Sequence, residues 1–372
     1  MTIDYRSLAK HSIKTLTPYQ PGKPIEELER ELGITNSIKL ASNENPLGAS
    51  PHALNAAREA LSHSHIYPDG GGYELKNALS DYLSLEMNQL TLGNGSENIL
   101  ELIIKAYLNE THSAVISQYA FLTIPILIQS YGAKAHVIPA KNWGHDIDGM
   151  IQAVDETTKI IFLVNPNNPT GTYTTKSDFE KLMQSVPAHV LVVVDEAYSE
   201  YISKPDYATV ADYLKKYPNL IISRTFSKVH GLAALRLGYA MSSPEIADIL
   251  NRARLPFNVN SIASKAAIAA LKDVDHVNRS VELNNRGLQQ LANGLTELGF
   301  DFIPSIANFI TVDVGDAVAV YQTLLKQGVI VRPLQAYGMP KHIRVSIGTE
   351  SELNRFLKSI KSLQLQTTGE KA

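Results

Sequence analysis

Three short stretches near the middle of the chain are apolar at nearly every position: 159–164 (KIIFLV), 189–194 (HVLVVV) and 219–223 (NLIIS). A strand with one wet face alternates polar and apolar residues. Unbroken runs of five or six therefore predict parallel strands covered on both sides. Between them, 176–183 and 208–216 carry helical spacing and predict crossover helices. Strand, helix, strand, helix, strand predicts a doubly wound α/β sheet. Upstream, 89–92 predicts a strand running into Gly93-Asn94-Gly95-Ser96. A helix follows, with Ile99, Leu100, Ile103, Ile104 and Tyr107 on one face.

Beyond about residue 258 the pattern changes. Long helical stretches at 264–272 and 276–298 precede strand-like 308–312, 329–332 and 343–347. Thr349-Glu350-Ser351-Glu352 has capping-box spacing, and Leu353, Phe356, Leu357 and Ile360 line one face of a closing helix. From about Gln364 the polar tail is expected to fray. The organisation predicted is an N-terminal arm with part of a small domain (1–40), a large domain with a mostly parallel sheet flanked by helices (41–258), and a smaller α+β domain (259–372).

Composition narrows the function. The chain has 372 residues, 44% hydrophobic and 19% charged, which excludes a disordered protein. Thirty-four Lys and Arg against thirty-seven Asp and Glu give a net charge of −3 with no basic stripe, so no nucleic-acid partner is expected. The absence of cysteine excludes disulfides, zinc–thiolate sites and thiol nucleophiles, and it fits a cytoplasmic protein. The start, Met-Thr-Ile-Asp-Tyr-Arg, lacks a basic, apolar secretion signal. The most apolar window, 113–128, is broken by Gln118, Thr123 and Pro125 and falls short of the roughly 20 residues a spanning helix needs. It predicts a buried strand and helix, and no membrane partner. His63, His65, His145 and His230 show no metal-ligand spacing, and no metal is expected.

In open α/β sheets, ligands sit beyond the carboxyl ends of the strands. After the first apolar run comes Asn165-Pro166-Asn167-Asn168-Pro169-Thr170-Gly171, and after the second Asp195-Glu196-Ala197-Tyr198. After the third come Arg224-Thr225-Phe226-Ser227-Lys228, with Arg236 eight residues on. Singly, each has a structural explanation in turn chemistry, helix capping or a solvated strand end. Together they bring an amine, a carboxylate, a phenol, an amide, hydroxyls and a guanidinium to one edge. That set suits pyridoxal phosphate, which needs an amine for its aldehyde, a carboxylate for its ring nitrogen, donors for its phenolic oxygen and a phosphate cup. Lys228, Asp195, and Asn168 with Tyr198 can fill the first three roles. Thr225, Ser227, Arg236 and the helix start at Ser96-Glu97 can make the cup, because helix-start N–H groups bind phosphate. The Glu97 carboxylate is then expected to point away.

An ordered series of motifs resembles the fold-type I aminotransferases, and among them the histidinol-phosphate aminotransferase family, over about 15–363. It comprises 16–24 (LTPYQPGKP), 42–48 (SNENPLG), Tyr67-Pro68-Asp69, Asn165 to Gly171, Asp195 to Tyr198, 225–228 (TFSK), 305–309 (SIANF) and 343–349 (IRVSIGT). The resemblance implies catalytic roles for Lys228 and Asp195. It implies cofactor contacts for Ser96, Glu97, Phe121 (stacked on the ring), Asn168, Tyr198, Thr225, Ser227 and Arg236. Tyr67 is implied to reach the cofactor phosphate of a neighbouring subunit, in a homodimer with shared sites. Arg344 is implied to grip the anionic end of the substrate, with Arg332, Tyr19 and Asn45 nearby. The implied reaction is transamination between L-histidinol phosphate and 2-oxoglutarate, giving imidazole acetol phosphate and glutamate in histidine biosynthesis. The chain departs from the commoner pattern at Val229-His230 and Ala234, where differences bear on substrate preference.

An aromatic amino-acid aminotransferase is the alternative on the same scaffold, and a phosphothreonine decarboxylase would use the same cofactor residues. A dinucleotide-dependent oxidoreductase is disfavoured because Asn98 stands where the third glycine of Gly93-x-Gly95 should be. A DNA-binding regulator would need a basic unit for which the chain has no room. Gly70-Gly71-Gly72 is expected to supply chain flexibility after Tyr67-Pro68.

Overall fold

Residues 3–207 and 210–369 are described by a computed structural model, with side chains through 363. In chain order, β1 (Ile38–Lys39) stands apart from the main sheet. β2 (Leu90–Gly93), β3 (Ser113–Ser117), β4 (Lys134–Ile138), β5 (Thr158–Val164), β6 (Leu191–Asp195), β7 (Leu220–Thr225) and β8 (Gly238–Met241) build that sheet in the spatial order β2-β8-β7-β6-β5-β3-β4. Neighbours from β7 to β4 are parallel, whereas β8 runs antiparallel between β7 and β2.

Successive residues of one strand serve different cores. Ile160, Phe162 and Val164 of β5, with Leu191 and Val193 of β6, join Ile99, Leu100, Ile103 and Ile104 of the helix Ser96–Tyr107. Ile161 and Leu163, with Val192 and Val194, join Phe179 and Leu182 of the helix Lys176–Ser185 on the opposite face. Two apolar faces at a period of two leave no polar position, which is why the runs look continuous in the sequence. The register sets Val164 beside Asp195 and Asp195 beside Ser223, so the loops after β5, β6 and β7 open along one edge.

Over its described residues, 210–216, the crossover predicted at 208–216 is not an α-helix; 208 and 209 lie outside the described residues. Its described part is a single 3₁₀ turn, Val210–Tyr213. One tight turn suffices to bury Val210 and Leu214 while Tyr213 sets its ring edge-on against Phe179 at 5.2 Å. Nor does Gly70-Gly71-Gly72 act as a slack link. The Asp69 carboxylate accepts from the N–H groups of Gly71 (2.8 Å) and Tyr73 (2.7 Å), and Gly72 takes φ +64° to start the helix Tyr73–Leu83.

The second sheet comprises β9 (Phe302–Ile303), β10 (Phe309–Asp313), β12 (Arg332–Pro333) and β13 (His342–Ser346), ordered β12-β13-β10-β9 and antiparallel, while β11 (Val329–Ile330) pairs in parallel with β1. The run predicted as one strand at 329–332 is thus divided at Val331 between two sheets. Ile310, Val312, Ile343 and Val345 pack with Leu291, Leu295, Leu324, Leu353, Phe356 and Ile360 from three helices. The capping box forms, with Thr349 N–H donating to Glu352 at 2.7 Å, and the closing helix Glu350–Gly369 runs beyond the point where fraying is expected. The helix Ser261–Lys272 buries Ala263, Ala266, Ala267 and Ala270 in the core of the large sheet. We propose on this ground that the division between domains lies after Lys272 rather than at 258/259. Among the described residues no helix is long and apolar enough to cross a membrane.

Candidate active site

Lys228 follows β7 through the turn Thr225-Phe226-Ser227, and its Nζ donates to the carbonyl of Ser42 at 3.2 Å. Burial first, and the Arg344 charge second, pull this amine down to about 8. An amine so placed is largely a free base in mildly alkaline solution, the form that attacks an aldehyde. Asp195 ends β6 and is 4% exposed. Burial, then the Glu97 charge, push its carboxyl up to about 7, while Lys228 opposes the shift. Its Oδ1 is buried without a hydrogen-bond partner. A buried acceptor of that kind costs about 1–3 kcal/mol unless a donor meets it.

Both residues line one cavity of about 380 Å³, with Ser42, Glu44, Ser96, Glu97, Phe121, Asn168, Tyr198, Thr225, Ser227, Ala233, Ala234 and Arg236. The loop after β5 contributes Asn168, whose Oδ1 accepts from Arg344 Nη1 and so turns its amide N–H₂ to the other side. The Tyr198 phenol accepts from Asn43 Nδ2 at 2.9 Å. At the opposite end the helix Ser96–Tyr107 begins after Gly95 at φ +85° with no side chain capping it, leaving its first N–H groups open. A Cβ at Gly95 would lie 2.6 Å from Arg236 Nη2, so the backbone and the guanidinium share a cradle that any side chain would fill. Arg236 Nη1 also donates to Ser227 Oγ at 3.5 Å. The set fits pyridoxal phosphate: an orphaned acceptor for a ring N–H, donors for a ring oxygen, an amine between them and an anion cradle at one end.

Glu97 departs from expectation. Its carboxylate does not point away but lies 3.5 Å from Arg236 Nη2 and accepts from Thr123 Oγ1 at 3.3 Å. The guanidinium draws it inward, since among the described residues no other carboxylate pairs with Arg236. Both side chains are about half exposed, so the pair is worth about 0.2–1 kcal/mol. A phosphate in the cradle must share Arg236 with this carboxylate. Glu97→Gln is therefore expected to tighten pyridoxal phosphate binding by about two- to fivefold in titration calorimetry. Unchanged or weaker binding would show that the carboxylate swings clear at no cost.

Arg344 and Arg332 stand directly opposite each other on β13 and β12. Both are buried, and no carboxylate pairs with either among the described residues. Arg344 Nη2 donates to Ala41 O at 2.7 Å, but its Nε has no partner, and burial presses its pKa down. The Arg332 guanidinium sits 5.0 Å from the Tyr19 ring centre. Two buried, unneutralised guanidiniums next to Asn168 make an anion site beside the cavity.

Of the residues singled out from the sequence, Tyr19, Arg332 and Arg344 are not among those lining the cavity. Tyr67, expected to reach a neighbouring subunit's site, does not line its own, and Asn45 and His230 do not reach the cavity. Asn45 commits its amide to Val229 O (2.7 Å) and Ser280 (2.9 Å), while its Oδ1 accepts from Leu47 N–H; it braces the segment after the lysine. Tyr67 is 80% exposed and stacks on Phe257 at 4.9 Å, away from its own chain's site. His230 turns from the cavity onto Phe226 at 5.0 Å, and burial drives it down to about 4, so its ring is neutral. Sequence reasoning assigned no role to Ser42 and Asn43. The available signal was the polar Ser-Asn-Glu-Asn run directly after apolar Leu40-Ala41, part of which is buried.

Similar proteins agree with this chemistry. A family model described as aminotransferase class I and II matches residues 35–360. The chain is 53% identical over 363 residues to histidinol-phosphate aminotransferase 2 of Pseudomonas fluorescens, covering 97% of this chain and 98% of the relative. It is 51% identical over 362 residues to histidinol-phosphate aminotransferase 1 of Nitrosococcus oceani, covering 96% and 97%. Among solved structures, the histidinol-phosphate aminotransferase of Sinorhizobium meliloti in complex with pyridoxal-5'-phosphate superposes with a TM-score of 0.87 at 28% identity, over 96% of this chain and 98% of that one.

Proposed function

The chain belongs to the class I and II aminotransferases, and we propose that it moves an amino group between L-histidinol phosphate and 2-oxoglutarate, a step of histidine biosynthesis, using pyridoxal phosphate. The observation that carries this reading is the single cavity joining a depressed lysine amine to an orphaned buried carboxylate, with paired arginines beside it. When bound, the cofactor supplies an aldehyde for amines and a ring that takes up negative charge.

The chain's own residues divide the remaining work. Asp195 Oδ1, the buried acceptor without a partner, would accept from the ring N–H and hold that nitrogen cationic. Asn168 Nδ2 and Tyr198 Oη would donate to the ring oxygen, and Phe121 would cover a ring face. Lys228 Nζ would take the proton from the substrate carbon that bears the nitrogen and hold it for return on the same side. The substrate phosphate and the α-carboxylate of glutamate bind in turn at Arg344 and Arg332, since guanidinium forks fit both anions. Arg344→Ala is expected to weaken both half-reactions, each by about 10- to 150-fold in kcat/KM. Loss confined to one substrate would overturn the shared anion site.

The direct test titrates histidinol phosphate into the purified protein and follows the visible absorption of the bound cofactor, then adds 2-oxoglutarate. Bleaching and recovery are expected. Bleaching by phenylalanine or tyrosine in preference to histidinol phosphate would favour an aromatic amino-acid aminotransferase instead.

A homodimer with shared sites is part of the same proposal. Ile66, Tyr67, Leu255 and Phe257 are each about half exposed or more, an apolar strip that a second copy would cover. A monomer in sedimentation at working concentration would exclude it. The enzyme is placed in the cytoplasm on this reading, and activity recovered in a membrane or periplasmic fraction would contradict that.

A further inference from the structure

We propose that Asn43 is a positioning residue for amino transfer: its amide, oriented by Ser346, donates to the Tyr198 phenol and so turns that phenol's one proton toward the cofactor's ring oxygen. The inference rests on the function proposed above and concerns a residue with no role assigned there. Asn43 is 1% exposed and holds φ +55°, a left-handed conformation that Asn and Asp tolerate better than other non-glycine residues.

The direction of each hydrogen bond is fixed by its neighbour. The Asn43 backbone N–H donates to Ser346 Oγ at 2.8 Å. That hydroxyl directs its own proton to Asn43 Oδ1, also at 2.8 Å. The amide oxygen is thereby assigned, and Nδ2 is the atom 2.9 Å from Tyr198 Oη. Asn308 Nδ2 donates to the Asn43 carbonyl at 2.9 Å and holds the segment from a third side. A phenol that accepts from Asn43 has its single proton left for another acceptor, and Tyr198 lines the cavity.

The arrangement ties both ring-oxygen donors to one strand. Arg344 and Ser346 are two residues apart on β13 and face the same side. Arg344 orients Asn168, and Ser346, through Asn43, orients Tyr198. The strand that grips the substrate anion therefore also aims the two groups that polarise the cofactor. Lys228 donates to the carbonyl of the adjacent Ser42, so the same short segment also holds the lysine.

The test reads the protonation midpoint of the visible absorption in the cofactor-loaded enzyme, beside the melting temperature of the cofactor-free protein. A donor on the ring oxygen draws negative charge from it and loosens the hold of the lysine linkage on its proton, so loss of the donor raises the midpoint. N43D has the same shape and tolerates the same backbone, but a carboxylate accepts where the amide donated and pulls the phenol proton away. Its midpoint is expected to rise by about one pH unit. Because N43D adds charge, S346A, which adds none, is measured alongside and is expected to rise by a smaller amount, with kcat falling more than KM changes. Asp195, Arg344, Tyr337, Tyr201 and Lys228, the other titratable or charged groups facing Tyr198, are untouched in both.

If N43D does not fold or does not load, S346A decides alone. An unchanged S346A midpoint overturns the proposal, whether or not N43D moves, because a rise in N43D alone reports only the added charge. A wild-type protein with no titrating visible absorption would instead defeat the proposed function itself.

Discussion

Lys228→Ala is expected to lower turnover by at least about 10⁴-fold while the protein still takes up pyridoxal phosphate. Retention follows from the cradle: the open helix start at Ser96, the Ser227 hydroxyl, Arg236 and the Asp195 acceptor are all in place without the lysine. Loss of turnover follows because one nitrogen serves twice, as the covalent anchor and as the base that moves the substrate proton. Lys228→Arg should not rescue, since a guanidinium stays protonated and cannot take that proton. The measurements are kcat in both half-reactions and borohydride reduction followed by peptide mass spectrometry. Turnover within tenfold of wild type, or cofactor fixed by reduction to a different lysine, would overturn the assignment.

What was legible in the sequence follows from how local each cause is. The strands β5, β6 and β7 could be read because burial on both faces writes itself into consecutive residues. The site followed from the strand ends, since topology alone brings 165–171, 195–198 and 225–228 to one edge. The segment 208–216 misled because apolar spacing that buries Val210 and Leu214 is met by a single 3₁₀ turn as well as by a helix. The run 329–332 misled because partner strands from two different sheets compete for it, and only the fold decides between β1 and β13.

Side-chain direction was the least legible feature. Nothing in the local sequence says that Glu97 turns toward an arginine more than a hundred residues away, or that Asn45 spends its amide on Val229 and Ser280. The Asn43–Tyr198 and Asn43–Ser346 bonds join positions 155 and 303 residues apart. Residue type can announce a hydrogen-bonding need, but the partner that meets it is a property of the assembled molecule.

Asp195→Asn is expected to lower kcat by about 10²–10³-fold with cofactor retained, the range seen when one preorganised charge-stabilising contact is removed. The amide keeps the shape and one acceptor but not the charge, so the ring nitrogen is no longer held cationic and negative charge at the substrate carbon has a poorer sink. The same substitution has the opposite effect on the cofactor-free protein. Asp195 ionises in the unfolded chain near its ordinary value of 3.8 but in the fold only at about 7, because burial, and next the Glu97 charge, outweigh the pull of Lys228. Between these values the native state binds more protons than the unfolded one, so stability falls as pH rises through the window and stays low above it. Asp195→Asn removes that cost. The cofactor-free variant is expected to melt higher than wild type at pH 8, and the two should converge near pH 4. Melting curves that stay parallel across this range would show that the carboxylate has a partner in the empty site, and the match between Asp195 and a cationic ring would lose its physical basis.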